Sequence, residues 1–465
     1  MENTFGVVLF DDPVTHDSGW ACQWEEGGAR PSRISGTGEL TSDAVWMTNL
    51  SYEDAKISGL NGSRFRRSKY LYHDLARLWG EVGLSADNPL ISPSEVWGGR
   101  YPNAQSLRAA YTAWLFRQVT LTMNHVVPML SPPATDIVYG LHDKIIPASS
   151  RYFIRGVPKN DVLDACSMAD SAWTPVAREG KPDKSARSVR LFPNRVIHAI
   201  SMLSEKWPIS SRWVAASQQD MIDPVSWIER NPYSLLRVTV TRTPDREMER
   251  LINFGANIDG KRGERYGRWV TGIDMLRIMP FCELKIVKAF SAQEGISGLE
   301  MLNRAGIDLR FEDVIYRSGA YSFGLFMDAL WRVMLKAPFD FKERDTRIPA
   351  TTFLHAKDRQ LLFNPAVRLS KLGYNVTGYG SGGITLDLDN QTDMKELAQH
   401  AVMCGLFPPF TQRGVFTPEE AMSIAMNNER HALPEAGRRL EAAMLAGDLD
   451  SIIMLDEALS CWDAE

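Results

Sequence analysis

The stretch GYNVTGYGSGGITLDLD, residues 373–389, sets two short runs with apolar residues at alternate positions on either side of a glycine-rich break. A period of two predicts strands, and the break at Gly380-Ser-Gly-Gly383 predicts a tight turn, so the segment reads as a β-hairpin. Working outward, LLRVTVT (235–241) and ELKIVKAF (283–290) are further strand candidates by β-branching and alternation. Thr243-Pro-Asp-Arg-Glu247 predicts a helix start, with Thr243 as N-cap, Pro244 at N1 and Gly255 closing the helix. Ser322 to Lys336 predicts a helix burying Phe323, Phe326, Leu330 and Met334.

The rest of the chain follows the same logic. Residues 1–60 are β-rich: FGVVLF (5–10), GWACQW (19–24) and AVWMTNL (44–50) are punctuated by acid-proline and glycine turns. Residues 61–230 turn mainly helical. The clearest helix is 106–127, where Leu107, Tyr111, Trp114, Leu115, Val119 and Val126 recur near a 3.6-residue period and Pro128 stops the run. A second helix runs from Asn194 to Lys206. Residues 231–390 form a mixed α/β unit and 391–465 a helical, acidic segment with a Thr417-Pro-Glu-Glu420 capping box. The expectation is an α+β, helix-dominated fold with these four segments.

With 465 residues, 44% of them hydrophobic, the chain can bury large cores and suggests two to four domains. The five cysteines (Cys22, Cys166, Cys282, Cys404, Cys461) are scattered with no CxxC pair, the usage of a reducing compartment. The N-terminus lacks the features of a signal peptide, and no apolar run is long enough to span a bilayer. The expectation is a cytoplasmic protein (host cytoplasm or virion if viral) that is not secreted and has no membrane partner.

Several motifs could carry chemistry. GYGSGG (378–383) could cradle a phosphate, but a P-loop needs a following Lys, and a Rossmann loop needs a following helix where ITLDLD predicts a strand. A hairpin turn is the better reading. Asp387 and Asp389 alternate, so they face one side of their strand, and such a pair could hold Mg or Mn for phosphoryl or nucleotidyl transfer. The hairpin is similar to a polymerase palm hairpin, except that Ser381, Gly382 and Gly383 stand where such a hairpin needs acids. Asp11 and Asp12 end the first strand, the position at which RNase H-like nucleases place a metal-binding Asp; a DDP turn accounts for the same residues. His73-Asp74, in a run that reads as helical, resembles the central dyad of HD-type phosphohydrolases. Such a site also requires an upstream His at a helical position, whereas His16 lies 57 residues upstream in a β-rich segment; His142-Asp143 is a second His-Asp pair. No GxSxG or HExxH occurs.

The arginines are the remaining signal. The net charge is -5, yet 37 of the 52 basic residues are Arg, and they gather in four segments: 63–77, 178–195, 237–250 and 261–269, the last reading KRGERYGRW. Arg is suited to bidentate phosphate pairing and to stacking, and interleaved aromatics suit base contacts. On this reading Arg66, Arg67, Lys69, Arg187, Arg190, Lys261, Arg262, Arg265 and Arg268 contact phosphates while Tyr266 and Trp269 stack. The leading expectation is a non-catalytic architectural subunit of a nucleic-acid-containing assembly, either a viral shell or a mobile-element or defence ribonucleoprotein. It carries no cofactor, and its partners are nucleic acid and other subunits or further copies of itself. The first alternative is a metal-dependent nucleic-acid-processing enzyme using Asp387 and Asp389 with help from Asp11 or Asp12. The second is a protein-binding scaffold. Replacing Arg262, Arg265 and Arg268 together by Ala should flatten the dependence of nucleic-acid affinity on salt by about 2 to 3 in log–log slope. Fluorescence anisotropy across a salt series measures this, and an unchanged slope counts against the loop.

Overall fold

Val7, Val8, Leu9 and Phe10 are all buried, so the first strand is covered on both faces and lies inside a sheet rather than at its edge. The computed structural model that shows this describes residues 5–57 (except 13–14, 26–27, 43 and 51), 65–66, 69–70, 73–74, 79, 102–126, 160–176, 187–252 (except 210–211 and 243–244), 268–309 (except 308), 321–335 and 348–407 (except 390). The chain divides into two compact units: 1–141 with 309–330 and 409–465, and 142–308 with 331–408.

In the first unit, β1 (Phe5–Phe10) pairs antiparallel with β2 (Gly19–Glu25). Both β3 (Gly28–Ala29) and β4 (Ser32–Ile34) add to β2. On its other side β1 runs parallel to β5 (Val45–Thr48), which is followed by a short helix α1 (Tyr52–Ile57) and then by β6 (Phe65–Arg66), parallel to β5. Val8, Phe10, Ala21, Ile34 and Trp46 form the core of this sheet. The long helix α2 (Ala104–Val126) packs on β1 and β2, burying Leu107, Tyr111, Trp114, Leu115 and Val119 of the expected stripe. The pair β7 (Lys69–Tyr70) and β8 (His73–Asp74) corrects the helical reading around His73: Tyr70 lies opposite His73 and Lys69 opposite Asp74 in a small antiparallel ladder. A ladder gives His73 and Asp74 a spacing that the HD dyad, a helical motif, does not have. His142-Asp143, the 417–420 capping box and Pro128 lie outside the described residues.

The second unit starts with α3 (Asn160–Ala169), β9 (Trp173–Pro175), β10 (Arg187–Pro193) and α4 (Arg195–Ser204), the last capped by the Asn194 side chain, which accepts from Val196 N and Ile197 N. Strands β11 (Lys206–Pro208) and β12 (Trp213–Ala215), helix α5 (Pro224–Arg230), β13 (Ser234–Arg242), α6 (Arg246–Ile252), β14 (Arg268–Thr271), α7 (Gly272–Ile278), β15 (Glu283–Ala292), β16 (Gly295–Ser297) and α8 (Gly298–Arg304) follow. Helix α9 (Tyr321–Val333), whose residues up to Leu330 belong to the first unit, buries Phe323, Phe326 and Leu330. Then come α10 (Ile348–Lys371), β17 (Asn375–Gly380), β18 (Gly383–Leu388), α11 (Met394–Met403) and β19 (Leu406–Phe407).

These strands make a five-stranded antiparallel sheet in the order β19-β10-β18-β17-β9, a four-stranded one in the order β12-β15-β13-β14, and the pair β11-β16. Leu191, Leu362, Phe363, Tyr379, Ile384, Leu386 and Leu397 form the core against the five-stranded sheet. β10, from the stretch read as a helical segment, pairs with β18 of the stretch read as mixed, so one sheet spans two of the expected segments. Helix α6 is capped by Asp245, whose Oδ1 accepts from Glu247 N (2.8 Å) and Met248 N (3.4 Å). The expected cap, Thr243, lies outside the described residues.

One glycine of the N-terminal sheet is fixed by close packing. A Cβ on Gly6 would sit 2.3 Å from the Trp46 ring. Gly6→Ala should therefore destabilise the protein by about 1–3 kcal/mol through overpacking, as read by urea denaturation, with a smaller loss in Gly6→Ala/Trp46→Leu.

Candidate functional site

The hairpin closes on a two-residue loop. Gly380 and Gly383 are the last pair in register, and Ser381 and Gly382 both have positive φ, at 48° and 75°. Positive φ at both central residues matches the twist of the flanking strands, as in a type I′ turn. The glycines around it are set by packing. A Cβ on Gly378 would meet the Trp173 ring at 2.3 Å, and one on Gly380 would meet Ala172 O at 2.4 Å. GYGSGG is thus a hairpin turn pressed against the β9 segment.

Two guanidiniums and one carboxylate hold that turn. Arg190 Nη2 donates to Gly380 O and Ser381 O, each at 2.9 Å, while its guanidinium lies over Trp173 and Phe192. Arg332 Nη2 donates to Ser381 O at 3.0 Å. Gly382 N donates to both oxygens of Asp358 at 3.1 Å, and His198 Nε2 lies 2.9 Å from Asp358 Oδ1 with both side chains buried. Burial opposes ionisation of Asp358, but the hydrogen bond and charge of His198, with Arg332 and the Gly382 N–H, outweigh it and lower its pKa. The acids that a palm-type hairpin needs are replaced by Ser381 and Gly382 beneath two cations. The carboxylate at the turn, Asp358, is buried and already bonded to Gly382 N and His198.

A second buried cluster flanks the same helix. Asp274 accepts from Arg359 Nε (3.2 Å) and Nη2 (2.7 Å), Arg277 Nη2 (3.1 Å) and Thr271 Oγ1 (3.1 Å). Burial raises its pKa, yet Arg359 and Arg277 overcome that and hold the carboxyl well below the usual range. Arg277 Nη1 donates to Tyr379 Oη (2.6 Å), and Arg359 Nη1 donates to Ser171 O. Farther along α10, His355 Nδ1 bonds Asp170 Oδ1 at 2.5 Å. Thr351, His355, Asp358 and Arg359 recur at helical spacing on α10. That helical spacing of polar residues is the signal in the sequence that marks the cluster.

On β18 the apolar residues Ile384, Leu386 and Leu388 are buried, while Thr385 and Asp387 are half-buried and Asp389 is exposed. Asp387 therefore lies on the face opposite the core, whereas Asp389 falls one residue past the end of β18, outside the strand whose alternation was expected to align the two. In register, Asp387 lies between Ser188 on β10 and Asn375 on β17. Asp389 Oδ1 accepts from Gln391 N (3.1 Å) and Thr392 Oγ1 (2.7 Å), holding the turn after the strand. Asp11 and Asp12, in the other unit, are exposed at the end of β1. Asp11 pairs with Arg33 and accepts from Ser18 Oγ (2.8 Å), and the Arg33 bond leads in lowering its pKa. Among the described residues no group of three or more His, Cys, Asp or Glu comes together as a metal cage.

The basic residues scatter. Arg190 is committed to the hairpin turn, and Arg187 opens β10 opposite Leu388. Arg66 lies on β6, Lys69 on β7 and Arg268 at the exposed start of β14. Trp269 stacks on Phe290, centroids 5.6 Å apart at 9°. Arg67, Lys261, Arg262, Arg265 and Tyr266 lie outside the described residues.

No family model and no curated protein matches the chain. Solved structures that resemble it include Phi29 DNA polymerase complexed with primer-template DNA and incoming nucleotide substrates (TM-score 0.41, 11% identity) and the same polymerase complexed with single-stranded DNA (TM-score 0.43, 10% identity). Each match covers 85% of this chain and 82% of the polymerase. These matches correct the expectation of a non-catalytic architectural subunit: they are to a nucleic-acid-processing enzyme, not to a shell or scaffold protein. Among the described residues no helix is long and apolar enough to cross a membrane.

Asp274 and Asp358 are harder to protonate folded than unfolded. Their stabilisation is fully present above the ordinary aspartate value of about 3.9 and is lost as pH falls through their lowered folded values. Asp274→Asn should cost about 3–5 kcal/mol at neutral pH by leaving two guanidiniums without their shared partner. It should also flatten the loss of stability below pH 4 in urea titrations, and an unchanged acid limb would show that Asp274 is not its source.

Proposed function

We propose that the chain is a metal-dependent nucleic-acid-processing enzyme, nuclease- or nucleotidyltransferase-like, with Asp387 and Asp389 as its carboxylate pair. The observation that carries this reading is the row on β18, the central strand of the five-stranded sheet. Asp387 faces away from the core, with the Ser188 hydroxyl and the Asn375 amide in register on either side, and Asp389 follows just past the end of the strand. Mg2+ is commonly held by one or two carboxylates together with water and substrate phosphates rather than by a full protein cage, so two Asp at the end of one strand fit it or Mn2+. Such an ion, when bound, supplies charge stabilisation for an in-line displacement at phosphorus. The chain's own contribution is to hold Asp387 on the central strand and Asp389 in the turn that follows it, and to offer Ser188 and Asn375 for orienting water or phosphate. Asp11 and Asp12 are the second carboxylate set, at the end of the first strand of the N-terminal sheet.

Nuclease and nucleotide-incorporation assays on labelled oligonucleotides test the reading. Activity should appear with Mg2+ or Mn2+, vanish with EDTA, and fall at least about 100-fold in Asp387→Asn, an effect of the size expected on losing a group that stabilises transition-state charge. Full activity in both Asp387→Asn and Asp389→Asn, with loss in Asp11→Asn, would move the site to the N-terminal sheet. No metal-dependent turnover on any nucleic acid would overturn the proposal.

A further inference from the structure

One face of the four-stranded sheet β12-β15-β13-β14 is apolar; the other buries Leu235, Phe290 and Thr271 in one row and carries charge in the rows beyond it. Leu236, Val238, Val270 and Ala289, with Leu284 and Ile286 partly buried, point into a core closed by Trp227, Ile228 and Met275. The opposite face is read from the register. Trp269 on β14, Arg237 on β13 and Lys288 on β15 lie side by side, and Thr239 and Lys285 lie side by side in the next row. A register shift after Arg237 leaves Val287 bulged between those rows, 57% exposed. Arg237, Lys285 and Lys288 are exposed and Trp269 is half-buried. The Trp269 ring stacks flat on Phe290, and Lys288 Nζ sits 4.5 Å above the Phe290 ring. Asp161 at the start of α3 lies 3.7 Å from Lys288 Nζ. No ion-pair partner for Arg237 or Lys285 occurs among the described residues.

We propose that this face is a platform for single-stranded nucleic acid. A twisted antiparallel sheet presents side chains of adjacent strands about 5 Å apart across the strands, close to the spacing at which extended bases and phosphates follow one another. Trp269 is a flat aromatic held in place by Phe290, which suits stacking of an unpaired base. Arg237, Lys285 and Lys288 form a cationic strip beside it, the combination of stacking surface and positive track that single strands require. A duplex offers no free base face to Trp269. The Asp161 carboxylate neutralises one end of the strip, so the track begins at Lys288 and runs toward Lys285. This inference rests on the nucleic-acid reading above but names other residues and a different face of the same unit.

The test is fluorescence anisotropy with a labelled 20-nucleotide oligo(dT) and with a duplex of the same length, across a salt series, on the full chain. The wild-type protein should prefer the single strand. The triple variant Arg237→Gln, Lys285→Gln, Lys288→Gln should reduce the log–log salt slope by about 2, at roughly 0.7 per lost phosphate contact. Trp269→Leu should weaken oligo(dT) binding about 10-fold with little change in slope, while Trp269→Phe retains most of the affinity. Melting curves and circular dichroism establish that each variant is folded; if Trp269→Leu is not, the triple variant, whose changes are on exposed side chains, carries the test. Wild-type affinity and slope in the folded triple variant would overturn the platform, as would equal competition by poly-Glu in wild type and variant. Metal-dependent turnover with unchanged binding in the triple variant would overturn the platform alone. Strand binding through this face without turnover would overturn the enzymatic reading alone.

Discussion

The buried pair between Asp274 and Arg359 fixes more of the second unit than any other contact. Its two hydrogen bonds tie the start of α7 to the middle of α10, and Arg359 carries the tie on to Ser171, just before β9. Arg277 shares the Asp274 carboxylate and reaches Tyr379 on β17, so the same charge also anchors the hairpin. Removing these groups from water costs several kcal/mol per ion, and the arrangement is tolerable only because every oxygen of Asp274 is bonded and a second guanidinium adds its field. Asp358, the preceding residue, does the equivalent job at the turn by accepting Gly382 N. Two consecutive residues of α10 therefore hold the hairpin at its strand and at its tip.

That arrangement separates two electrostatic environments along one hairpin. The tip is cationic, with Arg190 and Arg332 on its carbonyls. The far end of β18 carries Asp387, with Asp389 just past it. Six residues of strand at about 3.3 Å each put roughly 20 Å between Ser381 and Asp387, about twice the screening length at physiological salt. The arginines of the tip therefore act on the turn, where Asp358 is also bonded, and their field is largely screened at Asp387. If the hairpin works on nucleic acid, the chemistry belongs at the β18 terminus and not at the loop that the glycines first draw attention to.

Local chemistry was legible in the sequence and long-range chemistry was not. The hairpin, β1, the helix read over 106–127 and the helix read from Asn194 each follow from residues within a few positions of one another, and all appear in the structure. The contacts that define the interior join residues far apart in the chain: 85 positions for Asp274 and Arg359, 160 for His198 and Asp358, and 190 for Arg190 and Gly380. No window of local periodicity contains such a pair. His73 shows the converse error: YLYHDLARLW has helical spacing, but the antiparallel ladder of β7 and β8 overrode it.

The same distinction governs the arginines. Clustering along the sequence suggested a polyanion surface, yet Arg190 of the 178–195 segment is drawn inward, as are Arg277, Arg332 and Arg359 outside the four segments, each donating to a carbonyl, a hydroxyl or a carboxylate of the protein itself. A guanidinium can satisfy several acceptors in fixed directions while lying against aromatic rings, as Arg277 does over Phe363 and Arg190 over Trp173. It is therefore as useful for locking a sheet to a helix as for holding a phosphate. Density of Arg in the sequence cannot separate the two uses, whereas register can. Arg237 falls on the face of its strand opposite the apolar core, beside Lys288 and Trp269, and stays exposed. It is the strand face, set by a period of two, and not the cluster, set by proximity in sequence, that decides which cations are left to meet a ligand.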